Sequence, residues 1–145
     1  MKIAVIHGPN LNMTGIRQVD IYGTTTFSDI TAQIDGLAET LQIALTQFQS
    51  NHEGKIIDYL QACHRDGVDG IVINPGAFTH YSHAIGDAVA SMEIPVVEVH
   101  LSNIHAREEF RQKSVIAPYC IGQISGFGAE SYIMAIHYLV NHRRK

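Results

Sequence analysis

Glu98 and His100 stand two residues apart within Pro95–Arg111, PVVEVHLSNIHAREEFR, and on an extended strand that spacing turns both side chains to one face. A carboxylate beside an imidazole fixes the ring's tautomer and favours its charged form, which is how a proton donor is poised. The same spacing suits a satisfied buried pair with no chemistry, and this stretch alone does not choose between the two. Val96, Val97 and Val99 are the β-branched run of a buried parallel strand. Beyond His100 come Ser102, Asn103, His105, Arg107, Glu108, Glu109 and Arg111. A buried strand that opens onto so many polar groups points to a site at its C-terminal end.

A second pair lies in the loop Gly8–Thr25, where Arg17 precedes Tyr22. Loops of this length inside compact domains are usually functional. A free tyrosine has a pKa of about 10 and is a poor base unless a cation lowers it. Arg17 is close enough in sequence to be that cation; the alternative is an ordinary half-buried loop aromatic with a solvated arginine beside it.

Other chemistries find no support. Gly8-Pro9-Asn10 matches neither a dinucleotide fingerprint nor a phosphate-binding loop. The nine histidines show no metal-ligand spacing, so no metal is expected, and His64, His137 and His142 read as surface or packing residues on helices. Imine chemistry needs a desolvated lysine at a strand end. Lys2, Lys55, Lys113 and Lys145 do not supply one.

The elements that must hold these groups follow from hydrophobic period. Ile3–Ile6 is a buried first strand. Thr26 and Asp29 form a capping box ahead of a helix carrying Phe27, Ile30, Ile34, Leu37 and Leu41. Ile43, Leu45 and Phe48 suggest a second strand; Ile56, Ile57, Leu60 and Cys63 a helix ending near Gly67; and Gly70–Ile73 a third strand. A helix with Ile85, Ala88, Val89 and Met92 leads to the strand of Glu98 and His100. A weaker fifth strand is expected near Tyr119–Ile124, and a last helix over roughly Ala129–Asn141 that turns Ile133, Ile136, Leu139 and Val140 inward.

Strands and helices that alternate five times imply an α/β domain with a parallel sheet covered on both faces, spanning residues 1–145. Ligands bind such sheets beyond the carboxyl ends of the strands. Four polar clusters obey that rule: Asn10 and Asn12, Asn51 to Glu53, Asn74 and His80, and His100 to Ser102.

Composition sets the outer bounds. With 46% hydrophobic and 17% charged residues the chain is globular, and a net charge of -4 gives no reason to expect nucleic acid. Cys63 and Cys120 have no CxxC spacing and read as core residues in a reducing compartment. No apolar stretch is long enough for a signal core or a membrane span, so a cytoplasmic protein is expected.

Several motifs, taken in order, resemble the type II 3-dehydroquinate dehydratases. They are Gly8-Pro9-Asn10-Leu11-Asn12, Arg17 with Ile21-Tyr22-Gly23, and Gln49-Ser50-Asn51-His52-Glu53-Gly54. Asn74-Pro75-Gly76-Ala77 with Thr79-His80, Glu98-Val99-His100-Leu101-Ser102-Asn103-Ile104, Arg107–Arg111 and Gly126-Phe127-Gly128-Ala129 extend the match over essentially the whole chain. The resemblance implies a flavodoxin-like three-layer sandwich with a five-stranded parallel sheet. It implies a cofactor-independent hydro-lyase of the shikimate pathway or of quinate breakdown, which removes water in the anti sense from 3-dehydroquinate through an enolate. By position, Tyr22 resembles the base at C2, Arg17 the cation that depresses its pKa, and Asn10 the holder of a water against the enolate oxygen. His100 resembles the acid for the C1 hydroxyl, with Glu98 behind it, while Asn74, His80, Asp87, Arg111 and the Leu101–Ser102 backbone resemble the substrate-binding set. A dodecamer built from trimers is also implied. Four positions depart from the family's usual residues: Gln18-Val19 follows Arg17 where Glu-Pro is common, His7 replaces an asparagine and Phe78 a tyrosine. A non-enzymatic flavodoxin-like binding or regulatory module and a metal-dependent hydrolase are the competing expectations.

Overall fold

A computed structural model describes residues 1–16, 20 and 24–142. Five strands, β1 (Lys2–His7), β2 (Ala44–Gln49), β3 (Gly70–Asn74), β4 (Val96–His100) and β5 (Gly122–Ser125), form one sheet in the order β2-β1-β3-β4-β5. Every pairing is parallel. Four helices are described: α1 (Phe27–Leu41), α2 (Glu53–Arg65), α3 (His83–Ala90) and α4 (Glu130–Asn141).

The three layers follow from the two-residue period of a strand. Ile3 and Val5 of β1 pack with Ile30 and Ile34 of α1 and with Tyr132, Ile136 and Leu139 of α4. Ala4 and Ile6 pack on the other face with Ile56, Leu60 and Cys63 of α2 and Ile85 and Val89 of α3. β3 and β4 are buried along their whole length, which is why their sequences run apolar without alternation. This is the flavodoxin-like arrangement that the resemblance implies.

The start of α1 is fixed locally. Thr26 Oγ1 accepts from the Asp29 backbone N–H at 3.1 Å, and the Asp29 carboxylate accepts from the Thr26 N–H at 2.8 Å. The Asp29 pKa is lowered, chiefly by that backbone hydrogen bond. Thr26→Ala should therefore cost about 1 kcal/mol, a fall in Tm of about 3 °C by calorimetry. An unchanged Tm would show that α1 needs no cap.

Between β4 and α4 the structure shifts the expected start of the fifth strand, and it agrees with the sequence reading in placing no helix before that strand. No α-helix is described there; three short 3-10 turns, Ile104–Ala106, Glu109–Arg111 and Ala117–Tyr119, make the crossing instead. The intervening sequence is polar and without helical period, so nothing in it would cover a sheet face. β5 begins at Gly122, because Pro118 lies in the last of those turns and the first ladder bond, from the Ile121 N–H to the Val96 carbonyl, comes after it. On α4 the buried apolar residues are Tyr132, Ala135, Ile136 and Leu139, whereas Ile133 and Val140 are half-buried. The inward stripe thus starts one residue earlier than expected.

Candidate active site

The loops that follow β1 and β3 are clamped backbone to backbone. The Gly8 N–H donates to the Asn74 carbonyl at 2.7 Å. A Cβ on Gly8 would fall 2.5 Å from the Pro75 carbonyl carbon and oxygen, so only glycine permits the approach. Asn10 takes up a left-handed conformation (φ 66°), which asparagine tolerates better than most residues. Its backbone N–H donates to Asn51 Oδ1 at 2.9 Å, tying the loop to the end of β2. Gln49 adds a bond from Nε2 to the Gly8 carbonyl at 3.2 Å. The Asn51 cluster therefore supports the β1 loop and does not itself line the recess beyond it.

The end of β4 carries the dyad that the spacing anticipates. His100 Nε2 lies 2.6 Å from Glu98 Oε1, with Glu98 fully buried and His100 6% exposed. Glu98 Oε1 also accepts from Thr79 Oγ1 at 2.7 Å and Gln123 Nε2 at 2.9 Å, and Oε2 accepts from Ser114 Oγ at 3.0 Å. Burial pushes the Glu98 pKa upward, but the bond to and charge of His100, together with the Thr79 and Gln123 bonds, more than offset it. The net direction is down, so the buried group is a carboxylate. With Nε2 committed to Glu98, Nδ1 is the His100 nitrogen that can address the cavity the ring lines.

That cavity lies at the carboxyl ends of β1, β3 and β4. Asn10, Asn74, His80, His100, Leu101 and Arg111 all line it. His80 donates from Nδ1 to the Lys113 carbonyl at 2.9 Å, which leaves Nε2 as an acceptor in the neutral ring. The His80 pKa is lowered, first by desolvation. Arg111 donates from Nε to Glu108 Oε2 at 2.7 Å, and its guanidinium carbon sits 4.7 Å from the centre of the Phe110 ring. Phe110 also meets His80 edge-on at 5.9 Å. The ring thereby braces two cavity residues at once.

Some expected residues lie elsewhere. Ser102 lines a neighbouring recess, which shares Leu101 and Arg107 with the first. Asp87 is exposed on α3 and is not among the residues lining the cavity of its own chain. Arg17 and Tyr22 lie outside the described residues. Arg107 lines the cavity too, although the sequence reading named it only within a polar cluster and assigned it no role; its position four residues before Arg111 was the available signal. Among the described residues no group of three His, Cys, Asp or Glu side chains is placed to hold a metal ion. No helix among them is long and apolar enough to cross a membrane.

Comparison with known proteins bears on the same residues. The family model for dehydroquinase class II matches residues 1–140. The chain belongs to that family. A 3-dehydroquinate dehydratase from Clostridium perfringens (strain 13) is 57% identical over 142 residues, covering 98% of this chain and 97% of the relative. One from Caldicellulosiruptor bescii is 56% identical over 138 residues, 95% of each chain. Among crystal structures, the type II dehydroquinase from Butyrivibrio crossotus superposes with a TM-score of 0.95 at 53% identity, covering 96% of this chain and 97% of that one. The type II dehydroquinase from Propionibacterium acnes gives 0.93 at 38% identity over 97% of each chain. As a class II dehydroquinase the chain is an enzyme of the dehydratase type, a lyase. The cavity lining holds His100 of the buried carboxylate–imidazole dyad together with Arg107, Arg111 and the amide side chains of Asn10 and Asn74.

Proposed function

We propose that this chain catalyses the anti dehydration of 3-dehydroquinate to 3-dehydroshikimate through an enolate, in the cytoplasm, for aromatic biosynthesis or quinate breakdown. The observation that carries the reading is the Glu98–His100 dyad opening onto a cavity lined by Asn10, Asn74, His80 and Arg111. A proton beside a ketone is acidic enough for a tuned phenolate to remove, and a tertiary hydroxyl leaves only when protonated.

In this mechanism Tyr22, ionised under the influence of Arg17, takes the C2 proton, and the electron pair moves into the ketone to give the enolate. Asn10 holds a water against the enolate oxygen. His100 then gives its proton to the C1 hydroxyl, the C1–O bond breaks and water departs as the enone forms. Glu98 holds the imidazole in place, and as a carboxylate it stabilises the charged ring. The cationic wall suits a carboxylate substrate: Arg107 and Arg111 line a recess in a chain whose net charge is -4. Asn74, His80, Arg111 and the Leu101–Ser102 backbone are assigned to binding, and Asp87 with them by resemblance. No cofactor or metal has a part in these steps.

The dodecamer belongs to the same proposal. Tyr119, Ile121 and Phe127, which flank the edge strand β5, are 49%, 46% and 63% exposed, as expected of a surface that meets other copies.

The test is the ultraviolet absorbance of the enone, followed as purified protein acts on 3-dehydroquinate with and without a chelator. Steady enone formation that chelation leaves unchanged is the expected result. Binding of dehydroquinate without any enone would mean a ligand-binding module, and loss of activity in chelator would mean a metal-dependent reaction.

A further inference from the structure

Glu98 is fully buried, and the oxygen it offers to His100 draws its other donors from outside β4. In the β4–β5 register Glu98 stands beside Gln123, so the two side chains share one face of the sheet. β5 is an edge strand and Gln123 is exposed on it, yet its Nε2 lies 2.9 Å from Glu98 Oε1. A carboxylate has no proton to give, so the amide must turn its N–H toward Glu98. Among the described residues this amide nitrogen has no other partner.

The other neutral donors cannot stand in for it. Thr79 Oγ1 lies 2.7 Å from Glu98 Oε1 and 2.7 Å from Ser114 Oγ, and Ser114 Oγ lies 3.0 Å from Glu98 Oε2. Two hydroxyl protons therefore serve three contacts, and neither is left over. Ser114 Oγ has its lone pairs occupied as well, by the Ile116 and Ala117 N–H groups at 3.1 and 2.9 Å. Thr79 follows β3 and Ser114 lies in the crossing after β4, so Gln123 alone reaches the carboxylate from β5. Burial raises the Glu98 pKa, and Gln123 is among the bonds that lower it, behind the bond and charge of His100 and the bond of Thr79. A carboxylate that loses a donor on Oε1 is freer to turn about its own torsion and holds its charge less well. Either change disturbs the oxygen on which His100 Nε2 rests, and with it the aim of Nδ1 into the cavity.

We infer that Gln123 is a positioning residue for the acid, holding Glu98 Oε1 from the edge strand so that His100 keeps its orientation. The inference deepens the proposed mechanism and rests on the role of His100 in it. Gln123 is not among the residues lining the cavity, so it acts through Glu98 and not on the substrate.

The experiment is a double-mutant cycle between Gln123→Met and His100→Ala, read as kcat for 3-dehydroquinate and as the Kd for quinate by calorimetry. Methionine keeps the length of the side chain without an N–H, and the exposed position lets the fold accept it. Gln123→Met should lower kcat about 10-fold, the scale of one hydrogen bond to a charged group, and leave the Kd for quinate almost unchanged. Gln123→Thr, which suits an edge strand but is too short to reach Glu98, should lose as much. In the His100→Ala background neither change should lower kcat further. Wild-type kcat in either Gln123 variant, losses that multiply with that of His100→Ala, or quinate binding that weakens in step with kcat would each overturn the inference. A His100→Ala protein with near-normal turnover overturns instead the assignment of the acid, and the positioning role falls with it.

Discussion

His100→Ala should lower kcat about 10²- to 10⁴-fold while the protein stays folded, because a general acid is worth about that much. The expectation of a folded variant comes from the surroundings of Glu98. Removing the imidazole deprives the carboxylate of its closest partner, yet Thr79, Gln123 and Ser114 still donate to it. A carboxylate stranded with no donor would cost several kcal/mol; this one keeps three. Its pKa should rise, since the bond to and charge of His100 are the leading effects that hold it down against burial. The sign for stability follows. A carboxyl whose folded pKa is depressed stabilises the protein above its unfolded pKa and loses that contribution as pH falls through the folded value. Wild type should therefore gain more stability than His100→Ala as pH rises from below the carboxyl range toward neutrality. Circular dichroism melts across that range, with enone formation measured on the same samples, check both halves. A folded variant that turns over within a few-fold of wild type would show that His100 is not the acid. A variant that fails to fold would show that the dyad serves the core.

The parts of this molecule that were legible in the sequence are those whose cause is local. β1, β3 and β4 are buried on both faces, and a continuous run such as Ile71-Val72-Ile73 is their direct trace. The capping box of α1 is a contact between residues three apart, so four letters suffice to read it. The position of the site follows from chain reversal at strand ends, and polar side chains gathered after β1, β3 and β4 mark it. What was not legible depends on partners distant in sequence. Ser114, within the β4–β5 crossing, and Gln123, on β5 beyond it, reach Glu98, and no spacing rule connects them. Tyr132 meets His7 across 125 positions. Asp87 occupies a helix that is plain from its period, but whether its face reaches the strand ends is a matter of how α3 docks. β5 is short and half-exposed at the sheet's edge, and its four residues, Gly122–Ser125, carry too little hydrophobic pattern to show where they begin. For Arg17 and Tyr22 the pattern left two readings open, and the resemblance favoured the catalytic one.

That pairing carries an expected effect as large as that of His100. Tyr22→Phe retains the ring and loses only the hydroxyl that would become the base, so quinate binding should survive while turnover falls by about 10²- to 10⁴-fold. Arg17→Ala should also lower turnover, and it should shift the rate–pH profile in a defined direction. The limb on which the rate rises with pH reports ionisation of the base. A neighbouring cation favours the phenolate, so its loss raises the tyrosine pKa and moves that limb to higher pH. Arg17→Lys keeps the charge without the planar guanidinium and should restore only part of the rate. The residues after Arg17 sharpen the test: Gln18-Val19 stands where the family's usual Glu-Pro would restrict the backbone. Val19→Pro should therefore raise kcat/KM modestly if ordering the backbone around Arg17 limits the reaction. Rate–pH profiles for wild type and these variants, with quinate binding measured in parallel, decide the matter. Near-normal turnover in Tyr22→Phe, or a limb that moves to lower pH in Arg17→Ala, would remove Tyr22 as the base, and the enolate mechanism would need another proton acceptor.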